Sequence, residues 1–189
     1  LARFFSVDPG ELALMRGVSE GYQTIIRGRK WQRGDQIILT ANEEAALLLP
    51  SLHLRDLYGV EVFKVPLVDD VDGQIAAVEE LVTERTRLIG LSHVTTDLGF
   101  RLPVRQICEL ARQRGIDTFL DLAHSIGLYD IPLRELGCDY AGLLSYKWMY
   151  SPYAAGALYI RKERIPDVQV TYAGGRGEKW LDFVNDCFE

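Results

Sequence analysis

Short apolar runs bounded by turn residues recur through the middle of the chain. Gln36 to Thr40 follows the turn Gly34-Asp35, and Val60 to Val65 alternates apolar and polar residues as a half-buried strand does. The same pattern predicts further strands at 87–92, 117–121, 140–144 and 156–160.

Stretches with helical spacing lie between these strands. Apolar residues recur in the i, i+3, i+4, i+7 pattern from Val104 to Ala111, with Pro103 suited to a first turn and Gly115 to a C-terminal cap. Further helices are predicted at 43–57, 75–82 and 132–136. Strands alternating with helices of this length predict an α/β fold with three layers, a mostly parallel sheet flanked by helices.

The C-terminal stretch carries no comparable pattern. We predict no regular element from Val168 onward, and a mobile loop at 173–177 with the sequence Ala-Gly-Gly-Arg-Gly.

Composition and charge narrow the function classes. The chain has 189 residues, of which 48% are hydrophobic, and a formal net charge of −6, which predicts a globular protein with a real core and disfavours nucleic acid as a partner. No apolar run reaches the roughly 18–20 residues of a membrane span. We therefore expect a cytoplasmic protein that does not use a membrane.

The cysteines and histidines do not indicate a metal site. Cys108, Cys138 and Cys187 are widely spaced and form no CxxC pair, and none of the three histidines falls at ligand spacing from a cysteine. We expect no metal and no disulfide framework.

Polar residues follow three of the predicted strands. Asp121 ends one strand and leads to His124, Thr96 follows the strand that ends near Ser92, and Lys147 follows the strand that ends at 144. Ligands of open parallel sheets bind beyond the carboxyl ends of the strands. If the strands share one sheet, an acid, an imidazole, a hydroxyl and an amine converge at this edge.

Lys147 and Asp121 together suit one kind of cofactor chemistry. Lys147 lies among apolar and aromatic residues, and burial lowers the pKa of an ammonium group, so its amine could form a Schiff base. A Schiff-base lysine and an acid at a pyridinium nitrogen are what pyridoxal phosphate (PLP) enzymes require. Taken singly, Lys147 could instead be a surface lysine whose amine reaches solvent, and Asp121 could be the N-cap of a helix.

A hydrolase is the alternative from another class. Ser125, His124 and Asp121 could be assembled into a triad, but no GxSxG motif is present and such close neighbours rarely converge.

Several segments, in this order, resemble the class V aminotransferase superfamily of fold type I PLP enzymes. They are Arg16-Gly17-Val18-Ser19-Glu20-Gly21, Arg33-Gly34-Asp35-Gln36-Ile37-Ile38, Ser92-His93-Val94-Thr95-Thr96-Asp97-Leu98-Gly99, Asp121-Leu122-Ala123-His124, Ser145-Tyr146-Lys147-Trp148 and Gly156-Ala157-Leu158-Tyr159-Ile160-Arg161. The motifs around His124 and Lys147 look most like kynureninase and the isopenicillin N epimerase-like group. Cysteine desulfurase-type lyases typically carry histidine where Tyr146 stands.

The resemblance implies a role for each candidate residue. Lys147 would hold PLP as an internal aldimine and then move protons, Asp121 would keep the pyridine nitrogen protonated, and His124 and Thr96 would lie near the phenolic oxygen. Ser19 and Tyr146 would contact the phosphate, and Val18 and Ser145 would be further cofactor-binding residues. The substrate would be a small amino acid, and the resemblance implies a homodimer.

The chain departs from the family pattern at Glu44 and in the small domain expected outside this chain, and both departures favour an alternative function. Glu44 aligns where many relatives place an aromatic residue or histidine that stacks on the ring, and a carboxylate cannot stack. We expect residues 1–167 to form the PLP-binding large domain, with an incomplete N-terminus, and residues 168–189 to lead to a small domain outside this chain. The alternative to an enzyme is therefore a non-catalytic relative that acts as a binding or scaffold protein.

Overall fold

The computed structural model describes residues 1–172, 181–182, 184–185 and 187–188. Its strands are β1 (Leu12–Met15), β2 (Gln36–Thr40), β3 (Glu61–Val65), β4 (Thr86–Ser92), β5 (Asp117–Asp121), β6 (Tyr140–Leu144), β7 (Gly156–Ile160), β8 (Leu181–Asp182) and β9 (Cys187–Phe188). Its helices are α1 (Ala2–Phe5), α2 (Val18–Arg27), α3 (Ala45–Tyr58), α4 (Val71–Leu81), α5 (Val104–Gln113) and α6 (Leu133–Leu136).

One seven-stranded sheet organises the fold, in the order β1-β7-β6-β5-β4-β2-β3. Neighbouring strands from β3 through β2, β4 and β5 to β6 are parallel, and β7 runs antiparallel to both β6 and β1. The predicted α/β class with a mostly parallel sheet is confirmed.

Helices cover both faces of this sheet. Successive side chains of a strand point to opposite faces, and in β2 Ile37 packs with the residues of α2 and α3 whereas Ile38 packs with those of α4 and α5. All five residues of β2, β5 and β6 are buried, as expected for strands covered on both sides. The structure therefore has the three predicted layers.

Most element boundaries agree with the predictions to within a few residues. The four strands at 36–40, 117–121, 140–144 and 156–160 have the predicted bounds, and α3 continues through Pro50. Gly137 ends α6 with a φ of 76°, a left-handed cap that glycine adopts without strain.

The tail and the N-terminal part hold elements that were not predicted. The two-residue strands β8 and β9 pair with each other, so the prediction of no regular element after Val168 is wrong to that extent. The predicted loop at 173–177 lies outside the described residues. Strand β1 and helix α2 were not predicted either, although Val18, Tyr22, Ile25 and Ile26 make one face of α2 apolar and buried.

Candidate active site

The carboxyl ends of β4, β5 and β6 meet at one edge of the sheet. Ser92, Asp121 and Gly142 are neighbours in the pairing register of these three strands. A cavity of about 1100 Å³ opens at this edge, and both Asp121 and Lys147 line it. The structure thus brings together the acid and the amine that the sequence singled out.

The N-terminus of α2 forms one wall of the cavity. Val18, Ser19 and Glu20 line it, and no side chain caps this end of the helix. The first N–H groups of a helix have no partner within the helix and favour an anion. The predicted cofactor-binding residues Val18 and Ser19 therefore lie where an anion would be stabilised.

Gly142 lets this helix end come close to the sheet. A Cβ atom at Gly142 would lie 2.8 Å from Val18 Cγ1 and 3.1 Å from Val18 Cα. Any larger residue at position 142 would displace the start of α2 at Val18.

Asp121 is a buried carboxyl group at the floor of the cavity. Its Oδ1 accepts a hydrogen bond of 2.8 Å from the Ala123 N–H. Burial raises the pKa of Asp121 to about 7, the Ala123 hydrogen bond opposes that rise, and the carboxylates of Glu43 and Glu44 add to it. The charge of Lys147 lowers this pKa, and a further cation next to the carboxyl would favour its ionised form.

Lys147 and His124 are in direct contact. Lys147 Nζ lies 2.8 Å from His124 Nε2, and on the other side of the ring Trp148 Nε1 donates a 3.4 Å hydrogen bond to His124 Nδ1. Desolvation, and then the Lys147 charge, lower the pKa of His124. The imidazole is therefore neutral around pH 7.

A tight loop between β6 and β7 carries Lys147. Ser145 Oγ donates to the Ala155 carbonyl at 2.8 Å and shares a 2.7 Å hydrogen bond with Ser151 Oγ, which closes the loop. Tyr150 and Ala154 have φ values of 52° and 60°, which are strained for residues other than glycine. Strain of this kind is frequent at functional sites.

Three predicted site residues do not line the cavity, and one of them, His124, reaches it only through its contact with Lys147. Thr96 is exposed in the turn after β4, and Ser145 holds the loop rather than facing the cavity. Their contacts with a cofactor stay predictions. Tyr146 does line the cavity, with its ring 4.6 Å from that of Tyr153.

Two residues of this region, Glu43 and Tyr153, have roles that the sequence did not suggest. Glu43 is buried and accepts hydrogen bonds from Thr40 Oγ1 at 2.7 Å and from the Ser92 N–H at 3.0 Å, so it ties the ends of β2 and β4 together. Tyr153 lines the cavity, and so does Glu44, which the resemblance placed near the ring. Ser92 is 49 residues from Glu43 in sequence, and local patterns do not reveal such a contact.

His93 belongs to a separate buried cluster. Arg101 Nε donates to His93 Nε2 at 3.3 Å and its guanidinium lies 4.6 Å from the centre of the Tyr129 ring. His93 Nδ1 is buried without a hydrogen-bond partner. Burial and the Arg101 charge lower the pKa of His93 to about 4.

The described part of the chain holds no group of three or more metal-binding side chains. No helix among the described residues combines the length and the apolar character that crossing a bilayer requires.

Known proteins resemble this chain along most of its length. An isopenicillin N epimerase from Streptomyces clavuligerus is 30% identical over 174 residues, which are 90% of this chain and 44% of the relative. A cysteine desulfurase from Cronobacter sakazakii is 29% identical over 170 residues, 88% of this chain and 42% of the relative. The chain spans less than half the length of these curated relatives.

Solved structures agree with the fold. A cystine C–S lyase in complex with its product cysteine persulfide superposes with a TM-score of 0.89 at 26% identity, over 96% of this chain and 49% of that one. A cysteine desulfurase from Thermococcus onnurineus has a TM-score of 0.89 at 23% identity, over 100% of this chain and 47% of that one. The family model described as aminotransferase class-V matches residues 1–185. The chain therefore belongs to the class V aminotransferase family.

Proposed function

We propose that this chain is the cofactor-binding part of a PLP-dependent enzyme that acts on an α-amino acid. The observation that carries the proposal is the cavity lined by Asp121 and Lys147, with His124 in contact with the lysine amine. Bound PLP supplies an electrophilic aldehyde and a ring that accepts electrons from the substrate.

The residues at the cavity fit the parts of this cofactor. The uncapped start of α2 at Val18 and Ser19 offers N–H groups to a phosphate. The buried carboxyl of Asp121 would pair with a protonated ring nitrogen, and the positive charge would favour its ionised form. The cavity volume of about 1100 Å³ is sufficient for a small-molecule ligand.

Lys147 Nζ would bind the aldehyde carbon covalently, and the same amine would then move a proton at the substrate. His124 would hold that amine in place, and Tyr146 would line the phosphate side. For Thr96 and Ser145 we propose only supporting contacts with the cofactor.

We propose two candidate classes of reaction for this site. Epimerisation or hydrolytic cleavage, as in isopenicillin N epimerase-like and kynureninase-like members, is the first candidate, because Tyr146 precedes the lysine. Cysteine desulfuration is the second, since solved relatives include a cysteine desulfurase and a cystine C–S lyase. Cys108 and Cys138 are buried in the core, where burial raises the pKa of both thiols, so neither is suited to attack sulfur.

We further propose that residues 1–167 act as the large domain, that 168–189 lead to a small domain, and that the protein works as a cytoplasmic homodimer. Size-exclusion chromatography coupled to light scattering would measure the molar mass in solution and so test whether the protein is a dimer.

The experiment is cofactor trapping. Adding PLP to the purified protein should give a near-visible absorption band, and borohydride should fix the cofactor on the peptide that contains Lys147. Lys147→Ala should abolish both effects, whereas the matched control Lys64→Ala, in the exposed edge strand β3, should leave them unchanged.

Absence of the band and of the fixed cofactor in wild-type protein would contradict the proposal and favour a binding or scaffold protein. Labelling of a serine by an acylating probe would instead favour a hydrolase.

A further inference from the structure

Glu43 is a buried carboxyl group to which the proposed chemistry assigns no role. It lies in the turn between β2 and α3 and is 7% exposed. Its Oε2 accepts hydrogen bonds from Thr40 Oγ1 at 2.7 Å and from the Ser92 N–H at 3.0 Å. Its Oε1 accepts from the Glu44 N–H at 3.1 Å and from Ser92 Oγ. Each oxygen therefore has one backbone N–H and one hydroxyl as donors.

The ionised form of Glu43 matches this set of donors. A backbone N–H can only donate, and an ionised carboxyl group accepts at about four sites without donating, so it satisfies all four contacts. Within the described part of the chain, no lysine or arginine forms an ion pair with Glu43. Its negative charge is therefore held by hydrogen bonds and is not neutralised by a cation in direct contact.

The turn that carries Glu43 is attached to the end of β4 at two places. Besides the contacts of Glu43 with Ser92, Asn42 Nδ2 donates a 2.5 Å hydrogen bond to Asp97 Oδ2 in the segment after β4. Within the turn, the Glu43 N–H donates to the Thr40 carbonyl at 3.2 Å. The position of the Glu43 carboxylate is therefore fixed relative to the carboxyl ends of β2 and β4.

The sheet places this charge next to Asp121. Ser92 and Asp121 are partners in the register of the parallel strands β4 and β5, and such strands lie about 4.8 Å apart. Leu88 and Phe119 of the same strands pack in the core cluster that contains residues of α2 and α3. Because side chains alternate along a strand, Ser92 and Asp121 point to that same face. Glu43, bound to Ser92, is thus a second carboxylate on the Asp121 side of the sheet.

We propose that Glu43 is a positioning residue, whose carboxylate is fixed beside Asp121 by the ends of β2 and β4 so that its charge makes Asp121 hold its proton more tightly. The inference deepens the proposed function, on which its chemical consequence rests. Both carboxylates would attract a protonated ring nitrogen that replaces this proton, and a protonated ring is the form that accepts electrons from a substrate.

The other charged groups around Asp121 act in both directions. Burial is the main cause of its pKa of about 7, and of the charged side chains Glu43 has the largest effect. Lys147, from the loop after β6, lowers this pKa, and Glu44, at the start of α3, raises it. Tyr22 of α2 is uncharged, because burial raises the pKa of its hydroxyl. Glu43 therefore opposes Lys147 at the floor of the cavity.

The test is the titration of Asp121 in the cofactor-free protein. Carbon-13 spectra follow the side-chain carboxyl groups of the aspartates, and the signal that is lost in Asp121→Asn identifies Asp121. In wild-type protein this signal should titrate near pH 7. Glu43→Gln removes one nearby negative charge and should lower the pKa of Asp121 by about 1 unit.

Glu43→Ala provides a second variant without the charge. The new amide N–H2 of Glu43→Gln would face some of the four hydrogen-bond donors, which disfavours folding. Glu43→Ala adds no donor, and it should lower the pKa of Asp121 in the same direction.

Thr40→Val is the matched control. It removes one hydrogen bond to Glu43 with little change in shape and leaves the Glu43 charge in place. Thr40→Val and the two Glu43 variants should all lower the free energy of unfolding in urea, because each breaks buried hydrogen bonds. Only the Glu43 variants should lower the pKa of Asp121.

The outcomes separate this inference from the proposed function. An Asp121 pKa that is unchanged by the loss of Glu43, or that falls equally in Thr40→Val, would overturn the inference even if PLP is fixed on Lys147. A fall confined to the variants that remove the charge would support it even if no PLP is fixed, and only the function would then fail.

Discussion

Asp121→Asn should stabilise the cofactor-free protein while it removes the proposed partner of the pyridine nitrogen. The carboxyl group is buried, with 4% of its surface exposed, and it accepts one hydrogen bond, from Ala123. An asparagine Oδ1 keeps that bond. The substitution therefore removes the charge with little change in shape.

The size of the expected stabilisation by Asp121→Asn follows from the shifted pKa of the aspartate. Burial raises the pKa of Asp121 from 3.8 to about 7, which is about three pH units and, at about 1.36 kcal/mol per unit, about 4 kcal/mol. Because the folded pKa lies above the unfolded one, this carboxyl favours folding below pH 3.8 and loses that contribution as the pH rises through 7. Above pH 7 the folded state carries the full cost of a buried charge.

The assay is urea unfolding followed by tryptophan fluorescence at pH 8 and pH 4. Asp121→Asn should raise the free energy of unfolding relative to the wild-type protein, and this increase should be about 3–4 kcal/mol larger at pH 8 than at pH 4. An unpaired amide N–H of the new asparagine would lower both values equally, so the difference isolates the charge. Saturating PLP should reduce the gain, because the wild-type carboxylate would then have a cationic partner.

Asp139→Asn provides the matched control. Asp139 is equally buried, but it accepts hydrogen bonds from the Thr118 N–H at 2.9 Å and from Arg164 Nε at 3.1 Å. Loss of its charge removes a carboxylate partner from both Arg161 and Arg164, so this variant should lose stability. A pH-independent effect of Asp121→Asn, or equal losses in both variants, would refute the reasoning.

Three further predictions follow from buried contacts. The low pKa of His93 means that acid must charge a buried ring, which costs about 3 kcal/mol between pH 6.5 and 4, so the free energy of unfolding of His93→Gln relative to the wild-type protein should rise by that amount over this range; a difference that does not change with pH would contradict this. Gly142→Ala should displace the start of α2 at Val18 and weaken PLP binding in a fluorescence titration. Ser51→Ala should cost about 1–3 kcal/mol, because the Tyr22 hydroxyl 2.7 Å away loses its buried partner, and adding Tyr22→Phe should recover part of that loss.

Buried strands were the most predictable part of the fold. The centre of β2, Ile37-Ile38-Leu39, is apolar on both faces because helices cover both sides of the sheet, and the turn Gly34-Asp35 precedes the strand. Edge strand β1 is covered on fewer sides, and its four residues show no clear alternation. Helix α2 was missed although its apolar face is well spaced, since two glycines flank or interrupt the pattern at Gly17 and Gly21.

The convergence of Asp121 and Lys147 was predictable because it depends on topology alone. Both follow parallel neighbouring strands, and parallel strands end at the same edge of the sheet. The buried role of Glu43 was not predictable, since its acceptor atoms meet Ser92, 49 residues away, through a turn whose shape depends on the packed fold.

The arrangement around His124 shows why local patterns cannot reveal the contacts of a site. Trp148 is 24 residues from His124 in sequence, and their contact requires Gly127 to admit the Trp148 backbone at a distance no other residue allows. Asp121 and Lys147 are each ordinary when taken alone, but in the folded protein burial raises the pKa of Asp121 to about 7, and Lys147 Nζ lies 2.8 Å from an imidazole nitrogen. Both surroundings are built from elements that are distant in sequence, so the sequence identifies the two groups but not the environment that would tune them.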